Sequence, residues 1–257
     1  MPPATRMPAT QASTGADAPC LGVDGCPAGW VCVRATPPPG CAETRDGTPL
    51  SWSWSVHTRL SDALCDLGSG LAVIDIPIGL SDGPPRPCDR QARAQLGPRR
   101  NSVFAVPMRG MLDMPTREAA TDYGRARREG GGLSAQAWNI LPKIREADAL
   151  VTHDRQVTIR EGHPELAFAR IAGEPLADAK KTAAGAARRR ALLSEAGVPI
   201  GRLLGEARAA HPRRVVADDD LVDAAVLALT ARAVRRGDAV RLGGERDATG
   251  RVMEILG

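Results

Sequence analysis

Residues 71–76, LAVIDI, make an apolar run of strand length, broken only by one aspartate. A run this short and this apolar reads as a strand buried on both faces, the kind found at the centre of a helix-covered sheet. Residues 20–25, CLGVDG, repeat the pattern around Asp24. An ionised carboxylate costs free energy inside an apolar strand unless something pairs with it. Two such strands side by side bring Asp24 and Asp75 together. They then repel, unless a cation sits between them or one takes up a proton. The pattern points to a layered α/β fold with a divalent-metal site as the first chemistry to test.

The chain has 257 residues, 43% of them hydrophobic and 25% charged, a balance typical of a globular protein. Aromatics are scarce, so the core must come from Ala, Leu, Val and Ile. No apolar run reaches the ~18 residues of a membrane span. The net charge of +4 is mild; it permits contact with a nucleic-acid backbone without indicating it. The six cysteines form no C-x-x-C pair and no zinc-spaced cluster with histidine. With no apolar signal segment after a basic start, reduced thiols in the cytoplasm are the expectation.

Residues 1–19 are poor in large apolars and rich in Pro, Ala, Thr and Ser, as in a disordered extension. A single domain is expected over 20–257. Strands are predicted at 20–25 and 30–35, joined in a hairpin, then at 50–56, 71–76 and 157–161, with a short one at 251–256. Helices are predicted at 59–67, 88–96, 116–129, 134–150 (interrupted at Pro142), 164–171, 181–196 and 218–236. The expected helical insertion covers about 84–156. Three meandering strands followed by strands alternating with helices make a mixed α/β sheet, the first three antiparallel and the later ones parallel.

Several segments carry candidate chemistry. Asp24-Gly25 is also a turn signal, and Asp75 precedes Pro77 and Gly79, so each has a plain alternative as a turn residue. Residues 218–223, DDDLVD, put Asp220 and Asp223 on one helical face; the alternative is an acidic first turn that caps the helix. Glu165 follows Glu161 and His163 at a strand-to-helix junction. It is either a further acid entering the site or part of a capping pair. Residues 99–109, RRNSVFAVPMR, set Arg100, Ser102 and Arg109 around Phe104, which suits a phosphate-contacting loop. The alternative is a loop pinned by Phe104 with solvated arginines. Gln136, Trp138, Lys143 and Glu146 share a helix that either covers the site or packs as core, with Lys143 paired to Glu146.

The sequence resembles the domain of unknown function 429 family, whose members are described as predicted RNase H-like nucleases. The matching stretches are GVDGCPAGW (22–30), IDIPIGL (74–80), CDRQAR (88–93), RRNSVFAVP (99–107), SAQAWNILPKIREAD (134–148), EGHPE (161–165) and DDLVDA (219–224). The resemblance implies an RNase H-like sheet. It also implies a metal-dependent phosphodiester hydrolase with Asp24, Asp75, Asp220, Asp223 and Glu165 as catalytic residues. The four aspartates would hold one or two Mg²⁺ or Mn²⁺ ions, hard cations that prefer oxygen ligands. Arg100, Ser102, Arg109 and Lys143 would bind the substrate, a nucleic acid or a small phosphoester. The competing expectations are an actin/hexokinase-like phosphotransferase and a non-catalytic binding protein on the same fold.

Overall fold

The computed structural model describes residues 5–6, 18–38, 50–128 and 130–257. Most of the expected N-terminal extension, the proline-rich loop after residue 38, and Cys41 lie outside the described residues. Thr5–Arg6 (β1) pairs with a later strand in a small second sheet.

The main sheet begins with the hairpin of β2 (Cys20–Cys26) and β3 (Gly29–Thr36), to which β4 (Ser51–His57) adds antiparallel. Gly29 closes the hairpin with φ +129°, and a Cβ there would stand 2.3 Å from the His57 carbonyl oxygen. Only glycine fits both demands. A short helix, α1 (Leu60–Ala63), leads to β5 (Leu71–Ile74), which runs parallel to β2. The chain then builds α2 (Pro87–Leu96), α3 (Arg117–Arg125) and α4 (Ala135–Leu150) before β6 (Ile159–Glu161) pairs parallel to β5. The spatial order is β4-β3-β2-β5-β6, a five-stranded mixed sheet. Helices α5 (Pro164–Ala172), α6 (Ala183–Glu195), α7 (Ile200–Ala210) and α8 (Asp218–Arg236) follow. The chain ends in the hairpin of β7 (Val240–Arg246) and β8 (Val252–Leu256), which joins β1 in the second sheet.

Side chains alternate across a strand, and the two faces of the main sheet find different partners. Leu21, Val23, Ala72 and Ile74 face α1 and α4, packing with Leu60, Leu141 and Ile144. Cys20, Val31, Leu71 and Val73 face α8 and its neighbours α5, α6 and α7. Helix α8 is buried along almost its whole length and is made largely of Ala, Leu and Val. It lies so close to β2 that a Cβ on Gly22 would stand 1.9 Å from the Ala224 carbonyl oxygen. Gly22 and the alanines of α8 together allow this approach.

Some elements differ from expectation. Leu60, Ala63, Leu64 and Leu67 are all buried, as their spacing requires, but only Leu60–Ala63 is α-helical. Helix α4 runs through Pro142 without ending there; Ser134 caps its start, and buried Leu141 and Ile144 flank the proline. Burial on both sides offsets the missing backbone donor. Helix α7 and strand β7 lie outside the elements that the sequence pattern marks. Strand β7 carries Gly243 and Gly244, both at positive φ, beside a break in register against β8. A glycine-bearing irregular strand loses the alternation by which strands are read.

Candidate functional site

Strands β2 and β5 are in register up to Val23 opposite Ile74, and the Asp75 amide donates to the Val23 carbonyl at 3.0 Å. Asp24 and Asp75 therefore follow as neighbours at the carboxyl ends of adjacent parallel strands. By the alternation of each strand, both share the face covered by α8. Open α/β sheets bind ligands at such strand ends. Asp223, one turn into α8 and 2% exposed, completes the third side. The three acids line one cleft of about 560 Å³ with Lys143, His163 and Lys180.

The electrostatics of the cleft are those of crowded acids. Burial pushes the Asp24 carboxyl well above its usual range, and Asp75, Asp223 and Asp220 push it further. Asp75 is raised by burial, against the pull of His163 and Lys180. Asp223 is driven up to about 7 by burial, although Lys180 draws it down. The Lys180 ammonium donates to Asp223 Oδ2 at 2.6 Å and stands 3.6 Å from Asp219. Burial works against this ammonium, but Asp223, Asp24 and Asp219 outweigh it and hold its pKa up. Among the described residues, the only hydrogen bond to Asp24 is from the Gly25 amide, at 2.7 Å to Oδ1. Among those residues no hydrogen bond reaches the Asp75 carboxylate.

The predicted residues separate into distinct settings. Asp24, Asp75, Asp223, Lys143, Ser102 and Glu165 all line the cleft. Asp220 turns back to accept the Ala217 amide at 3.0 Å, so it caps α8. Glu165 is committed: Arg189 holds both its oxygens at 2.8 and 2.7 Å, and Arg99 approaches one at 3.3 Å. The Ser102 hydroxyl donates to the Arg99 carbonyl at 2.9 Å. Arg109 lies outside the cleft, clamped between Asp148 at 3.1 Å and Asp247 at 2.5 Å. Arg100 is exposed and does not line the cleft, whereas its neighbour Arg99 does. Lys143 does not pair with Glu146. It donates to the Gly29 carbonyl and lies over the Trp30 ring at 4.7 Å, while Glu146 accepts Trp30 Nε1 at 2.9 Å and the Leu60 amide.

Lys180 is the residue that the pattern of the chain did not reveal. It sits on the connection between α5 and α6, where no periodicity assigns a face. Its one local signal is its neighbour: Lys180 and Lys181 are two of only three lysines in an arginine-rich chain.

The kind of donor present suits a hard divalent ion, since carboxylate oxygens surround a buried negative charge. As the side chains stand, however, no three His, Cys, Asp or Glu among the described residues are grouped to hold one. The positive charge at Asp223 is an ammonium.

The fold and the cleft define a mixed α/β protein with an acidic site at the carboxyl ends of its central strands. The family described as "Protein of unknown function (DUF429)" matches residues 22–248, and the chain belongs to that family. No curated protein and no solved structure matches it. Among the described residues, no helix is long and apolar enough to cross a membrane.

Proposed function

We propose that the cleft is the active site of a metal-dependent phosphodiester hydrolase on an RNase H-like fold. One observation carries the reading: Asp24, Asp75 and Asp223 come from three separate elements into one cleft, where Asp75 and Asp223 push the Asp24 carboxyl up and Asp75 pushes Asp223 up. Structural acids are paired with donors, whereas acids gathered without enough donors are what a cation site requires. A five-stranded mixed sheet, with its first three strands antiparallel and the next two parallel, supports the reading.

Asp24, Asp75 and Asp223 would hold Mg²⁺ or Mn²⁺, and Asp223 must release Lys180 to do so. The ion would supply an activated water and charge stabilisation for a phosphoryl oxygen. The chain's own cations have a separate task. Lys180, once released, and Lys143 and Arg99 line the cleft and would hold the non-bridging phosphate oxygens. Glu165, tied to Arg189, keeps Arg99 at the rim. Asp220 would act indirectly, by fixing the start of α8 and so the position of Asp223.

A second reading draws on the Lys180–Asp223 pair, which already neutralises part of the acidic charge. On that reading the cleft binds a phosphate ligand and cuts nothing. Two measurements separate them. The hydrolase reading expects Mn²⁺ to raise the Tm and to support cleavage of an oligonucleotide, with Asp75→Asn abolishing the cleavage. No Tm shift and no cleavage with either ion would sink it, because an ion held by the folded state must stabilise that state.

A further inference from the structure

Phe104 is a wall shared by two cavities. One side faces the acidic cleft. The other faces a smaller cavity of about 250 Å³, lined by Arg90, Arg93 and Arg128 and floored by Pro85, Val106 and Pro107. These three arginines are held differently from those spent on acids. Arg99, Arg109, Arg160, Arg189, Arg208 and Arg251 all pair with carboxylates. Among the described residues, Arg90, Arg93 and Arg128 have no carboxylate partner.

Backbone carbonyls hold them instead. Arg90 Nη1 donates to the Pro85 carbonyl at 2.7 Å, and Arg128 Nη1 donates to the Gly83 carbonyl at 2.9 Å. Arg93 grips the Val103 carbonyl through Nε at 3.1 Å and Nη2 at 2.8 Å. A carbonyl orients a guanidinium without neutralising it. Each guanidinium has five N–H donors, so each keeps several free. The acid that lines this cavity, Asp89, gives both its oxygens to Arg86, at 3.0 and 2.6 Å. Three oriented guanidiniums with unspent donors lining one cavity form a site suited to an anion, and planar forks of this kind suit phosphate.

We propose that this cavity is a phosphate subsite continuous with the acidic cleft, and that the substrate is a polynucleotide carrying a second phosphate past Phe104. The proposal rests on the hydrolase reading of the cleft and narrows it, since a small ester with a single phosphate has no second one to place. The cavity lies below the roughly 300–1,000 Å³ of whole-ligand pockets, so it suits one phosphate and its sugar rather than an entire substrate. The Phe104 ring between the two sites offers a stacking face for the intervening base.

The test is binding, measured apart from cleavage. A fluorescent single-stranded 12-nucleotide probe, as DNA and as RNA, is titrated with the full chain in chelator, and anisotropy is followed at about 50 to 200 mM salt. The Arg90→Ala/Arg128→Ala double variant is expected to bind at least about tenfold more weakly at the lowest salt. Its slope of log K against log salt should be shallower by about 0.7 for each phosphate that the variant no longer neutralises. The Arg90→Lys/Arg128→Lys variant keeps the charge and should keep most of the slope. If the double alanine variant does not fold by circular dichroism, Arg90→Ala alone carries the test, because that side chain is exposed.

Equal binding and equal slope in wild type and folded variant would overturn the subsite while leaving the cleft reading intact. If wild type ignores both probes, yet inorganic phosphate raises its Tm through these arginines, the cavity takes free phosphate and the polynucleotide proposal is overturned. Arginine-dependent probe binding without any Mn²⁺-dependent cleavage would support the subsite and sink the hydrolase reading instead.

Discussion

Asp24 and Glu161 are both buried carboxylates at the carboxyl ends of strands in one sheet, separated by β5. Burial raises both, and Glu161 is pushed up to about 7 even against the Arg86 guanidinium. Their partners differ. Glu161 receives Arg86 at 2.7 and 2.8 Å and the Ile78 amide at 2.6 Å, so both its oxygens are satisfied. Arg86 also holds Asp89 and the carbonyls of Ile78 and Gly79, fastening the segment that follows Asp75 to α2 and β6. Asp24 has one amide and the charges of three other acids. The Arg86 cluster has its charges matched by donors, and the cleft leaves acidic charge that its donors do not match. A buried charge is therefore informative only once its donors have been counted.

The comparison breaks most visibly at Arg86. Arg86→Met leaves Glu161 and Asp89 buried without their guanidinium and should cost about 3–5 kcal/mol in chemical denaturation. If stability is unchanged, the cluster is not the fastening described. On the other side, Asp75→Asn should reduce Mn²⁺-dependent hydrolysis by at least ~100-fold, about 2.7 kcal/mol of activation free energy. It should leave the denaturation midpoint level or raised, because it removes a like charge. A loss of stability comparable to that of Arg86→Met would place Asp75 among the structural acids.

Lys180→Met sharpens the contrast within the cleft. The ammonium competes with any cation for Asp223, so its removal should tighten Mn²⁺ binding by roughly tenfold, about 1.4 kcal/mol, in a calorimetric titration. Weaker binding would show that Lys180 helps to assemble the site rather than occupying it. The smallest effect is the pH dependence of the chelator-treated protein. Asp24, Asp75 and Asp223 have folded pKa values above their unfolded values, so the folded state binds more protons. Stability must then fall as pH rises from about 4 to about 7. A decline of a few degrees in Tm is expected, of the order of 2–4 °C per kcal/mol for a chain of this size. Asp223→Asn should flatten it.

Much of the cleft could be read from the chain because its acids violate a local pattern. A charge within LAVIDI or CLGVDG stands out against apolar neighbours only one or two residues away. Asp223 stands out less, as one of four acids, and only the Asp220 cap and the burial of Asp223 separate their roles. Glu165 and Arg109 carry no such local mark. Their sequence setting suits a site as well as a clamp, and the partners that decide the matter lie far along the chain. Arg189 is 24 residues from Glu165, and Asp247 is 138 from Arg109. The Arg90, Arg93 and Arg128 cavity is illegible for the same reason: nothing near Arg90 or Arg93 in the chain shows that Arg128 lines the same cavity.

The sequence by itself determined strands within 20–25 and 71–76, the helix at 218–236 and the aspartate that each of the two apolar runs carries. Apolar runs, alternation and capping act over a few residues. The tertiary structure alone decided that Asp24, Asp75 and Asp223 share a cleft, that Lys180 stands among them, and which arginines are spent on acids. Those outcomes depend on Coulomb interactions and hydrogen bonds between groups distant in sequence, which exist only once strand register and helix packing have set the distances.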